Sequence, residues 1–384
     1  MIKFYLCSKI CEMLDIHFPK MNLARKKCFL GLILSLLRGK SISKVELAKY
    51  LNDEVEESSN ERRIERFYAE ANIIFSGLAL LIANLLPLQK FELSLDRSNW
   101  EFGGKPINIL AITINFHGIG IPVLWFVLPK AGNSNQSERI DLFKQFIEIF
   151  GVKRIKNLTA DREFIGEEWL QFLDNAGLKI YIRIRANMQL AKKEENTTTV
   201  VVASNLVPNN KYQVTYHDTV ELSGVKGQLA CGFDKSKKKV TKEKDDEVDY
   251  LIVFTNDTTF KRGSKILRVY RGRWTIEVSF QCMKGRGFNV ENTHMDKPER
   301  ICKLIAIIAV AMTWACLMGK FVNDNIKTIP IRNHGYKENS FFRVGLDFWA
   351  KSWTKLIVNI ERIIKLINQI VEIMWKNLLW FSSS

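Results

Sequence analysis

The chain has 384 residues, with 57 lysines and arginines against 41 aspartates and glutamates, a net charge of +16 and an isoelectric point near 9.4. At 47% hydrophobic and 26% charged residues it has the composition of a globular protein of roughly two or three folding units, which excludes disordered and collagen-like classes. The positive surplus favours a polyanionic partner, because lysine and arginine release condensed counterions, although ribosomal, chromatin and membrane-surface proteins share such a charge.

The opening MIKFYLCSKICEMLDIHFPK has neither a continuous apolar run nor a small-residue cleavage site, so it does not read as a signal peptide. Residues 1–88 carry helical patterns with breaks at Gly39 and around 53–60. Ser43 stands as an N-cap to KVELAKYL, with Glu46 completing a capping box. A second helix is expected after Ser58, Ser59 and Asn60, opening with Arg62, Arg63 and Arg66. This is either a helix-turn-helix that meets DNA or a charged hairpin packed on its neighbour, and the glutamates among the arginines weaken the first reading. The apolar runs 73–88 and 301–318 fall at or below the length of a membrane span, and Lys303 interrupts the second. Both are expected to be core helices, with no membrane involved.

From residue 91 the period changes to that of strands. FELSLDRSNW alternates, INILAITINF and IPVLWFVLP are short β-rich runs, and glycines punctuate them. A three-strand meander is expected, then a helix at 136–150, a strand at 154–160, a helix at 166–175 and a strand at 178–185. That βββαβαβ order predicts an α/β fold, a mixed sheet flanked by helices. Residues 187–257 read as a β-rich insertion with a Lys-rich turn, KSKKKVTKEKDDE. Helices are expected again at 259–286, 298–323 and 356–379. The last has a seam of Leu356, Ile360, Ile363, Ile367, Ile370 and Met374, which packs on its own domain or on a second copy.

Seven scattered cysteines (Cys7, Cys11, Cys28, Cys231, Cys282, Cys302, Cys316) form no CxxC pair and no Cys/His cluster, which argues against zinc or a disulfide framework and for a reducing cytoplasm. Carboxylates are more informative. Asp96 lies where LSLDRSN turns polar, and Asp161 follows the strand RIKNLTA, at the carboxyl end where ligand sites of α/β sheets gather. If the first and fourth strands are neighbours, the two charges lie side by side and call for a cation, with oxygen ligands favouring Mg2+ or Mn2+. Glu277 is the sole acidic residue between Lys261 and Arg286, among eight basic ones. On one helix Tyr270, Arg273, Glu277 and Lys284 would share a face.

The string YRGRWTIEVSFQCMK carries Tyr270-x2-Arg273-x3-Glu277-x6-Lys284, which resembles the signature of the "IS-four" type of bacterial insertion-sequence transposases. DREF at 161–164 and LSLDRSNW around Asp96 resemble the two aspartate motifs of that family, and the likeness spans about residues 60–320. The resemblance implies an RNase H-like sheet with a β-rich insertion before the glutamate. It also implies a DDE triad of Asp96, Asp161 and Glu277 that holds two divalent metals, Mg2+ with Mn2+ as substitute, for cut-and-paste joining of element ends. Tyr270, Arg273 and Lys284 would contact DNA phosphates near the cut, and a homodimer would bring two ends together. Arg162 would act likewise or pair with Glu163. Some members hold a flipped base on a tryptophan of the insertion. No tryptophan lies between Trp169 and Trp274, so another aromatic such as Phe254 takes the role or the feature is absent.

The expected organisation is a DNA-binding region at 1–88, a catalytic domain at 89–325 with its insertion at 187–257, and a C-terminal region at 326–384 serving dimerisation. Two other readings stay open: an RNase H-like nuclease or resolvase without strand transfer, and an inactive DNA-binding remnant. Terminal inverted repeats and target DNA are the expected partners, in the bacterial nucleoid.

Overall fold

The computed structural model describes residues 12–102, 104–194, 197–210, 212–233, 250–333 and 335–352, and further on 364–365, 368–369, 371–373 and 375–377. The seam residues Leu356 to Met374 and the turn 235–247 lie outside the described residues. After a helical stretch at 12–17 come α1 (Leu23–Gly39), α2 (Lys44–Leu51), α3 (Glu57–Glu70) and α4 (Phe75–Leu85). Next come β1 (Phe91–Phe102), β2 (Lys105–Phe116), β3 (Ile119–Leu128), α5 (Gln136–Phe150), β4 (Ile155–Ala160), α6 (Glu167–Asn175) and β5 (Ile180–Arg183). The strands β6 (Gln189–Glu194), β7 (Thr197–Val202), β8 (Thr215–Leu222), β9 (Val225–Phe233) and β10 (Tyr250–Thr255) follow. The helices α7 (Gly263–Tyr270), α8 (Trp274–Met283), α9 (Pro298–Asn325) and α10 (Phe341–Ser352) come last. The chain divides into two compact units. Unit one is Met1–Gln89, Arg97–Gly132 and Glu277–Ser384, and unit two is Lys90–Asp96 and Asn133–Ile276.

In unit one, α1 starts at Asn22, whose side chain accepts from the Arg25 amide, and buries Phe29, Leu32, Ile33 and Leu36. The helices at 44 and 57 exist, but not with the capping expected. Ser43 makes no side-chain capping bond, and the other half of the box is not formed either: the Ser43 N–H donates to Ser41 Oγ at 3.2 Å and the Glu46 carboxylate pairs with Lys49 at 2.6 Å. The second helix opens at Glu57, and Asn60, buried inside it, donates to the carbonyls of Ala48 at 3.0 Å and Asn52 at 2.9 Å, tying α3 to α2. The glutamates among the arginines are taken by Lys44, which pairs with Glu61 at 3.0 Å and Glu65 at 2.7 Å.

The strands of unit one run in the order β3-β2-β1. β2 and β3 are joined by the two-residue turn His117–Gly118, both at positive φ, the geometry that matches the twist of a tight hairpin. The long helix α9 opens with Pro298, whose missing N–H costs nothing in a first turn, and is buried along most of its length. Its closest cover is α10. A Cβ on Gly319 would stand 1.8 Å from the Phe341 carbonyl oxygen, and one on Gly345 would stand 1.7 Å from that of Ala315. Trp314 and Trp349 stack beside this crossing at 6.1 Å. Among the described helices, α9 alone is long and apolar enough to cross a membrane by length and composition, and 89% of its 18-residue window of mean hydropathy 2.2 is buried.

In unit two the strand order is β1-β4-β5-β10-β9-β8-β6-β7, with β1, β4 and β5 parallel and the remaining pairs antiparallel. The strands expected as an insertion are therefore continuous with the parallel ones, because β10 pairs with β5. A capping box, Asn135 with Glu138, starts α5. Phe91 of β1 packs edge-on against Phe146 and Phe150 of α5, and Phe143 against Trp169 of α6. This aromatic layer fixes both helices on the parallel strands.

Candidate active site

Unit two brings the two aspartates together by strand register. β1 and β4 are parallel, with Leu95 opposite Ala160, so Asp96 and Asp161 are the next residues: Asp161 just past the carboxyl end of β4, and Asp96 inside β1, which continues to Phe102 instead of ending in a polar turn. Ala160 is in turn opposite Ile182 of β5, which makes Arg183 the next residue on the other side of Asp161. Arg183 was not expected from the sequence; only the register reveals it.

Below the carboxylates runs a buried hydroxyl seam. Ser94 Oγ lies 2.9 Å from Thr159 Oγ1, Thr159 donates to the Leu93 carbonyl at 3.0 Å, and Ser94 donates to the Gly272 carbonyl at 3.3 Å. Strand side chains repeat every two residues, so each hydroxyl shares a face with the aspartate two positions on. The repeated hydroxyl-x-Asp pattern in SLD and TAD is the signal that a sequence reading passes over. The seam anchors the turn that carries Arg273.

The single helix expected at 259–286 is two helices joined by a 3-10 turn, Arg271–Arg273. Gly272 weakens an α-helix at this point, and its carbonyl is taken by Ser94. In a 3-10 turn, side chains three apart lie one above the other, which brings the Arg273 guanidinium 5.9 Å from the centre of the Tyr270 ring. Arg273 Nη1 pairs with Asp96 Oδ2 at 3.5 Å, and the Tyr270 hydroxyl donates to Asp161 Oδ1 at 3.4 Å. Both distances are at the long end for hydrogen bonds, so these are electrostatic neighbours more than tight partners. Tyr270 itself is buried among Tyr181, Ala230, Val253, Ile266 and Leu267. Burial pushes its phenol well above the ordinary tyrosine range, with Arg273 pulling the other way, so at neutral pH it remains a proton donor.

Glu277 sits half-buried in the first turn of α8, one turn beyond Arg273 in the chain. In unit one, Lys284 Nζ donates to the Asn99 carbonyl at 2.9 Å and pairs with Glu291 at 3.0 Å, above the Trp100 ring. Arg162 is exposed beside Asp161. Arg62 and Arg66 are exposed on α3, while Arg63 is half-buried and, with Arg25 and Arg66, lines a cavity of about 230 Å3. Phe254 is fully buried in β10 and unavailable to a base, whereas Trp274, next to Arg273, is 43% exposed.

The donors at the strand ends are carboxylate oxygens with no sulfur or imidazole beside them, a set suited to Mg2+ or Mn2+. Two like charges at neighbouring strand positions are costly without a cation between them, which is the respect in which the pair fits such an ion. No group of three or more His, Cys, Asp or Glu side chains placed to hold a metal occurs among the described residues.

No curated protein matches the chain in sequence. Among solved structures, the cryo-EM structure of a piggyBac transposase synaptic complex with hairpin DNA is similar at a TM-score of 0.43 and 11% identity, over 97% of this chain and 79% of that one. The family model described as Transposase DDE domain matches residues 92–314, more than half of the chain. That stretch runs from β1 through the aspartate pair, Tyr270, Arg273 and Glu277 into α9, and the chain belongs to this DDE transposase family.

Proposed function

We propose that the protein is a cut-and-paste transposase of the "IS-four" type, which binds the terminal inverted repeats of an insertion sequence, cuts at their ends and joins them to target DNA. The observation that carries this reading is local. Tyr270 and Arg273, singled out by spacing alone, are the side chains that stand at Asp161 and Asp96. An RNase H-like catalytic domain at 89–325 is supported by the strand orders β3-β2-β1 and β1-β4-β5, with the β-rich 187–257 following them. Residues 1–88, with Arg62, Arg63 and Arg66, serve DNA binding in this reading, and 326–384 serve a homodimer that holds two ends.

Asp96, Asp161 and Glu277 would hold divalent metal, Mg2+ or Mn2+, which when bound would supply activation of the attacking oxygen and stabilisation of the leaving one. Arg273 offsets the carboxylate charge and adds positive charge beside the phosphate as negative charge builds up in the transition state. Tyr270 orients Asp161 through its hydroxyl. Lys284 has three donor hydrogens and uses one on Asn99 and one on Glu291, so a phosphate oxygen can take the third. Exposed Trp274 is the aromatic beside Arg273 on which an unpaired base would stack.

The test is incubation of the purified chain with a labelled fragment bearing its element's terminal repeats, with and without Mg2+, and with a target plasmid. Metal-dependent cleavage at the repeat boundary followed by joined product is expected. Cleavage without joining would reduce the protein to a nuclease, and binding without turnover in Mg2+ or Mn2+ to a DNA-binding remnant. Tyr270→Phe keeps the packing but removes the donor to Asp161. At 3.4 Å this bond falls at or below the low end of the about 1.5–3 kcal/mol of a hydrogen bond to a charged group, so cleavage should slow by up to roughly tenfold with thermal stability nearly unchanged. An unaltered cleavage rate would remove Tyr270 from the active groups.

A further inference from the structure

The helix that delivers Tyr270 to the aspartates has a second face. Gly263, Ile266, Leu267 and Tyr270 of α7 are buried against the sheet of unit two, and a Cβ on Gly263 would stand 2.7 Å from the Thr215 carbonyl oxygen. The opposite side carries Lys265 and Arg268, with Lys261 and Arg262 just before the helix and Arg271 just after it, all exposed. Between Asp257 and Glu277 the chain has no acidic residue, and none of these five cations forms an ion pair among the described residues. Some cations elsewhere on the surface are matched, as Lys44 is by two glutamates and Lys156 by Glu92. Unmatched like charges one turn apart on a helix repel each other, so this face is held at a cost that a polyanion would relieve.

We propose that this face of α7 is a track for the phosphate backbone of duplex DNA, leading to Tyr270 and Arg273 at the aspartate pair. The proposal rests on the reading of the protein as one that acts on DNA. The eight residues of α7 rise about 12 Å at roughly 1.5 Å per residue, the axial length of about three to four phosphates of one strand at roughly 3.4 Å each. The bases sit on a helix seated on a sheet, so their spacing is fixed before DNA arrives, and they read charge and not sequence.

Binding of a fluorescein-labelled 30-base-pair duplex of random sequence, followed by anisotropy over a salt series in EDTA, tests the track without involving cleavage. Each phosphate contact contributes about 0.9 to the slope of log affinity against log salt, so the K265Q/R268Q/R271Q variant should lose about 2.7 in slope. A control of equal charge change on exposed lysines of the same unit, K144Q/K153Q/K226Q, should lose almost nothing. Circular dichroism checks that both variants fold. An unchanged slope in the first variant, or an equal loss in the control, overturns the track while leaving DNA binding itself intact. Displacement of the duplex by polyglutamate at lower concentration than by unlabelled duplex would assign the face to an acidic protein. If the wild type fails to bind the duplex at all, the DNA reading falls as well.

Discussion

Replacing Asp161 by asparagine, or Glu277 by glutamine, is expected to lower metal-dependent cleavage of element-end DNA by at least about 10^3-fold. Metal-assisted phosphoryl transfer draws several kcal/mol of transition-state stabilisation from the bound ions, and every 1.36 kcal/mol is about tenfold in rate. Both substitutions preserve side-chain shape, and each removes a carboxylate from a strongly basic chain, so affinity for the same DNA should hold or rise slightly. Asp161 is the better first target. Its neighbour Asp96 also pairs with Arg273, a guanidinium whose side chain is only 6% exposed, and neutralising Asp96 would mix a catalytic loss with the cost of a buried charge. Cleavage that persists in Asp161→Asn with Mg2+ or Mn2+ would sink the metal mechanism.

The largest expected effect on stability lies far along the chain. Gly345→Ala should lower the melting temperature by roughly 6–12 °C, equivalent to about 3 kcal/mol for a cooperative unit of this size. The added methyl would meet backbone on both sides, Ala315 carbonyl and Gly319 amide, so no side chain can swing away and the two helices must part. Gly285→Ala is the matched control, since a Cβ there meets nothing within 4 Å. Equal melting temperatures for the two variants would mean that α9 and α10 do not approach as closely as described.

Much of the architecture is legible from periodicity. The helix expected at 136–150 has those bounds, because its polar start is held by a capping box and its apolar positions face one layer of phenylalanines. The same box motif at Ser43 is not formed: its N–H is taken by Ser41 and the Glu46 carboxylate by Lys49, and local competition of this kind is invisible to a motif. Asp161 is conspicuous because it follows the end of a strand and opens a polar loop, and Asp96 because a carboxylate interrupts an apolar strand pattern. Arg183 is not, because its place depends on which strand lies beside β4, a non-local pairing that no window of sequence contains. The break at Gly272 was likewise hidden. A helical pattern continues through it, while the Gly272 carbonyl accepts from the Thr275 hydroxyl at 2.8 Å and from Ser94, far earlier in the chain, at 3.3 Å.

The apolar helix α9 has a consequence for synthesis. Until α10 has been translated, a rod of 28 residues, about 42 Å long, has no cover on that side, and it exceeds the roughly 30 Å of a bilayer interior. Only fifteen residues separate Asn325 from Phe341, so at roughly 5–20 residues per second the cover emerges within seconds. Nascent chains that pause in that interval present insertion machinery and chaperones with an apparent membrane segment. The expected result is that slow codons across the α9–α10 link lower the yield of folded protein in a cell without changing a single amino acid.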